Sequence, residues 1–137
     1  AVLGYGNPWF KKGLEKSVTA TLDDLKIKIF SLEYFVASKL KAFNDRGITG
    51  DIRFSQDLED LTELMDGCTV FEQTVLNSEE NVKAFIVAEL SKFLSASEYR
   101  EAMYGFVGYD DPKTKEARLD RIFAILNRIC TLSSVRN

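Results

Sequence analysis

Apolar residues return every three or four positions along most of this chain, and only two prolines, Pro8 and Pro112, stand in it. Such spacing puts the apolar side chains on one stripe of a 3.6-residue helix. The cleanest stripe is Leu119, Ile122, Leu126 and Ile129, with Phe123 and Cys130 alongside. Read with this period, the chain holds no run of alternating β-branched residues. The expected fold is therefore all-α: a single-domain bundle over residues 1–137, with five to six helices and an irregular N-terminal arm over about 1–7. A mostly apolar stretch, Ile27 to Val36, marks one long central helix, and the C-terminal helix is expected to pack antiparallel in the bundle.

Start and stop signals divide the chain. Asn7-Pro8 reads as an N-cap with proline at the first helical position, opening a short helix to about Ser17. Thr21-Leu22-Asp23-Asp24 resembles a capping box, and the periodic positions Leu22, Leu25, Ile29, Leu32, Phe35, Val36, Leu40 and Phe43 predict a helix running to about Asn44. Gly47 is a natural stop. Ile48 to Phe54 is a connector. Ser55 caps the next helix, whose stripe of Leu58, Leu61, Met65, Cys68 and Val75 contains a soft point at Gly67. Asn77-Ser78-Glu79-Glu80 starts another, Ser95 or Ser97 a shorter one, and Asp111-Pro112 the last.

Composition supplies enough for a core. The 137 residues are 45% hydrophobic and 12% aromatic, and a chain of this size buries roughly two-thirds of its unfolded surface. No apolar run approaches the ~18 uncharged residues of a membrane helix. Ala1, a small first residue, fits both initiator-methionine excision and cleavage after a signal peptide, and secretion is the slightly favoured of the two. Cys68 and Cys130 both fall on apolar stripes, which favours buried thiols over a bridge.

The absence of histidine removes Ser-His-Asp and Cys-His nucleophiles, histidine-ligated zinc, iron or haem, and a histidine pH switch. The substitutes are weak. Asp45 to Gln56 follows a calcium-binding EF-hand loop in its first aspartate, its sixth-position Gly50 and its apolar Ile52. It departs where calcium needs oxygen, with Gly47 at the third position and Gln56 at the twelfth. Glu59 and Glu63 share a helix face, yet they sit amid acids on what reads as a wet surface. Gly4-Tyr5-Gly6 and Gly105-Phe106-Val107-Gly108 do not make a phosphate loop. The reading assigns no catalytic residue, no metal ligand and no cofactor.

Charge is segregated. Residues 1–46 carry eight basic and five acidic side chains, residues 47–111 four and fourteen, and residues 112–137 six and two. An acidic middle and basic ends of one molecule can neutralise each other. They can also present an acidic face, with Asp57, Glu59, Asp60 and Glu63, to a basic partner. Basic residues too sparse on any face, and not interleaved with aromatics, argue against nucleic acid. Two aromatic groups are candidate anchors: Tyr5, Trp9 and Phe10 near the start, and Tyr99, Met103, Tyr104 and Tyr109 at a helix end. The expected function is non-enzymatic protein–protein interaction, with a protein partner or a second copy of the chain. Carriage of an apolar small molecule between helices is the alternative, and a histidine-free enzyme the second alternative.

Overall fold

A computed structural model describes residues 7–22, 25–47, 50–108 and 111–135. Its elements are α1 (Pro8–Glu15), β1 (Val18–Leu22), β2 (Leu25–Ile29), α2 (Leu32–Ala42), α3 (Gln56–Gly67), α4 (Phe71–Leu76), α5 (Glu80–Phe93), α6 (Ser97–Phe106) and α7 (Pro112–Val135). A π-helical turn, Phe43–Gly47, continues α2, and a 3-10 turn, Ile52–Phe54, leads into α3. The molecule is a helical bundle, as the apolar period predicts. α3, α4 and α5 form a middle layer, with α2 on one side and α7 on the other; α1 packs on α2, and α6 bridges α3, α5 and α7.

The caps act where the sequence places them. The Asn7 side chain accepts the backbone N–H groups of Trp9 and Phe10, at 3.1 and 3.2 Å, and its own amide donates to the Ser38 carbonyl at 3.0 Å. One buried side chain thus starts α1 and fastens it to α2. Ser55 accepts the Leu58 N–H at 3.2 Å at the head of α3. Asp111 takes the Thr114 N–H and hydroxyl, both at 3.0 Å, at the head of α7. The α7 stripe Leu119, Ile122, Leu126 and Ile129 is buried in full. Each such side chain contributes ~1.5–3 kcal/mol when removed from water.

Two expectations about segmentation need correction. The long helix predicted from about Thr21 to Asn44 does not form. Its first half is an antiparallel ribbon, in register from Val18 opposite Ile29 to Leu22 opposite Leu25, and only Leu32–Ala42 is α-helical. The sequence Val18-Thr19-Ala20-Thr21-Leu22, then Leu25-Lys26-Ile27-Lys28-Ile29, alternates with period two and is rich in β-branched residues. Those features favour a strand. Leu22, Leu25 and Ile29 fit both periods, which is why the helical stripe could be drawn through them. α2 is nonetheless well buried, with Tyr34, Val36, Ala37 and Leu40 nearly inaccessible, but α7 is the longest helix.

The helix predicted to run past Gly67 is two helices. Cys68 takes an extended backbone, φ −94° and ψ 109°, and the chain re-enters helix at Phe71. Glycine costs about 1 kcal/mol in a helix interior, so it marks the weak point where the turn forms. This division brings the described α-helices to seven.

A candidate interaction surface

The two strands of the ribbon contact each other, and no other described element packs on them to a comparable extent. Cross-strand partners share a face. The register therefore assigns Val18, Ala20, Leu22, Leu25, Ile27 and Ile29 to one face, and Thr19, Thr21, Lys26 and Lys28 to the other. Val18 and Leu25, from opposite ends of the apolar face, are each 66% exposed. A two-stranded ribbon of this size is marginal in water unless something covers it.

Where the ribbon meets the bundle, Phe30 directly follows β2. Its ring lies 5.4 Å from that of Phe10 on α1, centroid to centroid. Asn7, Phe10, Phe30, Phe35, Ser38 and Lys39 line an apolar cleft there of about 90 Å³. Phe35 and Leu14 are partly exposed, and the Lys39 ammonium stands 5.7 Å from the Phe35 ring centroid.

Of the first aromatic group, Phe10 belongs to this cleft. Trp9 instead faces inward, 5.1 Å from Phe85 and 6.4 Å from Tyr34, ring to ring. Tyr5 and Tyr109 lie outside the described residues. Tyr99 is buried with Phe43 and Phe93 in a three-ring cluster at 5.3–6.4 Å, and Met103 is fully buried. Tyr104 is half-buried beneath the Lys115 ammonium, 4.4 Å from its ring centroid. It borders an open groove of about 240 Å³ with Arg100, Glu101, Glu116 and Leu119.

The acids of α3 have divergent surroundings. Asp57 is buried and takes the Arg46 guanidinium at 3.1 and 3.3 Å, with the Lys39 ammonium 3.7 Å away. Asp60 accepts from Lys39 at 2.7 Å and from Gln56 at 3.0 Å. Burial works to raise the Asp60 carboxyl, but the hydrogen bonds from Lys39 and Gln56 prevail and hold it below the usual carboxylate range. Glu59 meets Gln56 at 3.3 Å, and Glu63 is exposed. Asp66 is paired with Arg118 and receives a backbone-directed contact from Arg121 beside it. With Lys16–Glu79 at 2.5 Å and Arg128–Glu72 at 2.9 Å, these pairs join the acidic middle to the basic segments on either side. Charge segregation here cross-links one molecule.

In the calcium-like segment Asp45 turns to Lys41, at 2.8 Å, and Asp51 to Arg53, at 2.6 Å. Among the described residues no cluster of three or more Cys, Asp or Glu is placed to hold a metal ion. Cys68 and Cys130 are both half-buried and are not joined in a disulfide; burial pushes the Cys130 thiol up. No described helix is long and apolar enough to cross a membrane.

The most exposed apolar groups among the described residues lie outside the candidate anchors that the sequence offers. Phe54, 83% exposed on the 3-10 turn, is one, and Val18 and Leu25 are others. The alternation of Leu25-Lys26-Ile27-Lys28-Ile29 was the available signal for the ribbon; nothing local singles out Phe54. No family model, curated protein or solved structure matches the chain, so the ribbon and the cleft at its foot stand on their own chemistry.

Proposed function

We propose that the protein is a non-enzymatic binding module that engages a protein partner through the ribbon and the apolar cleft at its foot. The carrying observation is the ribbon's apolar face, open at both ends where Val18 and Leu25 are 66% exposed. Exposed apolar groups gathered on one element mark interaction sites, whereas scattered ones need no explanation. The size of the cleft favours a protein partner over a carried small molecule. About 90 Å³ admits a single aliphatic side chain, well short of the roughly 300–1,000 Å³ of ordinary ligand pockets. The acids of α3 support the same assignment, because Asp57 and Asp60 are already paired within the molecule. They leave the ribbon as the better candidate surface.

A photo-crosslinking residue at position 18 or 25, with position 56 on the exposed head of α3 as control, tests this in extracts of the cells that make the protein. Discrete adducts from 18 and 25, and none from 56, are expected. Equal, diffuse labelling at all three positions would overturn the reading.

A further inference from the structure

The two long edges of the ribbon differ in chemistry. β2 carries Lys26 and Lys28, the kind of charge with which exposed edges are protected from pairing. β1, Val18-Thr19-Ala20-Thr21-Leu22, has neither charge nor proline. No described strand pairs with its outer edge, since the sheet has two strands only. Thr19 and Thr21 are exposed along it.

We infer that the outer edge of β1 pairs antiparallel with the same edge of a second copy, about a two-fold axis at Ala20, joining two ribbons into one four-stranded sheet. This rests on the interaction reading above and names its partner. Centring the pair on Ala20 sets Val18 opposite the second copy's Leu22 and Thr19 opposite its Thr21. Apolar thus meets apolar, and hydroxyl meets hydroxyl.

The hydrogen-bond phase agrees. Leu22 and Leu25 flank a two-residue connection, so they form a hydrogen-bonded pair within the ribbon. Alternation then makes Thr19 and Thr21 members of non-hydrogen-bonded pairs, with their N–H and C=O groups directed outward. Those are the groups that a twofold axis at Ala20 brings together.

Other edge pairings are poorer. Two β2 edges would bring lysines together. A β1 edge on a β2 edge is heterologous and leaves an unpaired edge at each end, which propagates instead of closing. A five-residue strand is about 16 Å long, and antiparallel pairing directs the two bundles to opposite ends of the sheet, so they do not collide. Both apolar faces then lie on the same side. The joined edge is short, and the dimer is expected to be weak and concentration-dependent.

Sedimentation equilibrium on the purified chain tests the inference with three variants. Thr19→Glu with Thr21→Glu puts glutamate beside Lys28 and Lys26 within each ribbon, which supports the hairpin, but glutamate opposite glutamate across the dimer. Dimer affinity should fall at least about ten-fold, with partial recovery in high salt. Thr21→Pro removes an outward N–H and leaves the bonds to β2 intact; it should weaken the dimer similarly. Thr19→Lys with Thr21→Glu makes the cross-dimer pairs complementary and should restore affinity to within a few-fold of the parent.

A parent chain that stays monomeric to about 1 mM, or a dimer indifferent to all three variants, would overturn the β1 edge. If the chain is monomeric while position 18 crosslinks to a different protein, the edge inference falls and the binding-module reading stands. If position 18 captures neither a second copy nor another protein, both fall.

Discussion

The ring of Phe30, at the foot of the ribbon, lies directly over the bare Cα of Gly13 in α1, where a methyl group would overlap it. Glycine inside a helix normally costs stability, yet here its missing side chain is what lets the ribbon's root seat on the bundle. Gly13→Ala should therefore destabilise the protein by ~1–3 kcal/mol through overpacking. In a Phe30→Ala background the same change should reverse sign and stabilise by ~0.5–1 kcal/mol, the ordinary helix preference for alanine. Denaturant titrations of the four proteins in this cycle check it. Additive effects would show that the contact does not govern the position.

Asp57 and Glu63 stand on the same helix and look alike in sequence. One is buried against Arg46 and Lys39 and the other is exposed. Asp57→Ala should cost about 2 kcal/mol, in line with loss of buried, charge-assisted hydrogen bonds. Glu63→Ala should stay within about 0.5 kcal/mol of the parent. Equal effects in urea melts would contradict this division of the acids.

Acid should unfold the molecule from a predictable direction. The hydrogen bond from Arg128 lowers the Glu72 carboxyl below its ordinary 4.5, and that from Lys16 lowers Glu79 in the same way. The Thr114 N–H lowers Asp111 below 3.8. A carboxyl with a depressed folded pKa stabilises the fold above its unfolded pKa, and that contribution is lost as pH falls through the folded value. Through these groups the melting temperature should thus not vary with pH near neutrality and should decline below about pH 4.5. Glu72→Gln should lower it at pH 7 and flatten the decline. A melting temperature that rises on acidification would refute this assignment.

Exposed and buried apolar residues should separate cleanly by stability. Val18→Thr and Leu25→Thr place a strand-favouring residue at each site and remove exposed apolar groups, so each should shift stability by no more than about 0.5 kcal/mol. Leu126→Ala empties a fully buried site on α7 and should cost ~2–5 kcal/mol. A large loss from either ribbon change would mean that the apolar face already has an intramolecular cover.

These contrasts show which parts of the structure the sequence made legible. The α7 stripe could be read because four residues at helical spacing admit no competing period, and Asn7, Ser55 and Asp111 because capping chemistry is local. The ribbon is hidden by Leu22, Leu25 and Ile29, which satisfy periods of both two and 3.6. Only the residues between them, the lysines and the β-branched positions, tip the balance toward a strand. Tyr99 and Met103 resemble surface anchors in sequence, yet both are buried, and the Tyr99 ring packs on Phe93 at the end of α5 and on Phe43 from the π-helical turn far back in the chain. Likewise the distinction between Asp57 and Glu63 rests on where the π-helical turn carries Arg46. Both depend on the π-helical turn, which lies outside the helices that carry Tyr99 and Asp57.

The ion pairs that brace the middle layer against α7 also set an order of events during synthesis. Residues 47–111, with fourteen acids against four bases, are synthesised before Arg118, Arg121 and Arg128. At about 5–20 residues per second, the 24 residues of α7 take on the order of 1–5 s to follow. Throughout that interval the nascent middle segment is a polyanion with its α7-facing apolar side uncovered. Glu79, Asp60 and Asp57 already have Lys16, Lys39 and Arg46 as partners, whereas Asp66 and Glu72 wait for Arg118 and Arg128. Folding of this bundle is thereby tied to the emergence of one helix, and the delay before that helix arrives is the period in which a chaperone would find the chain.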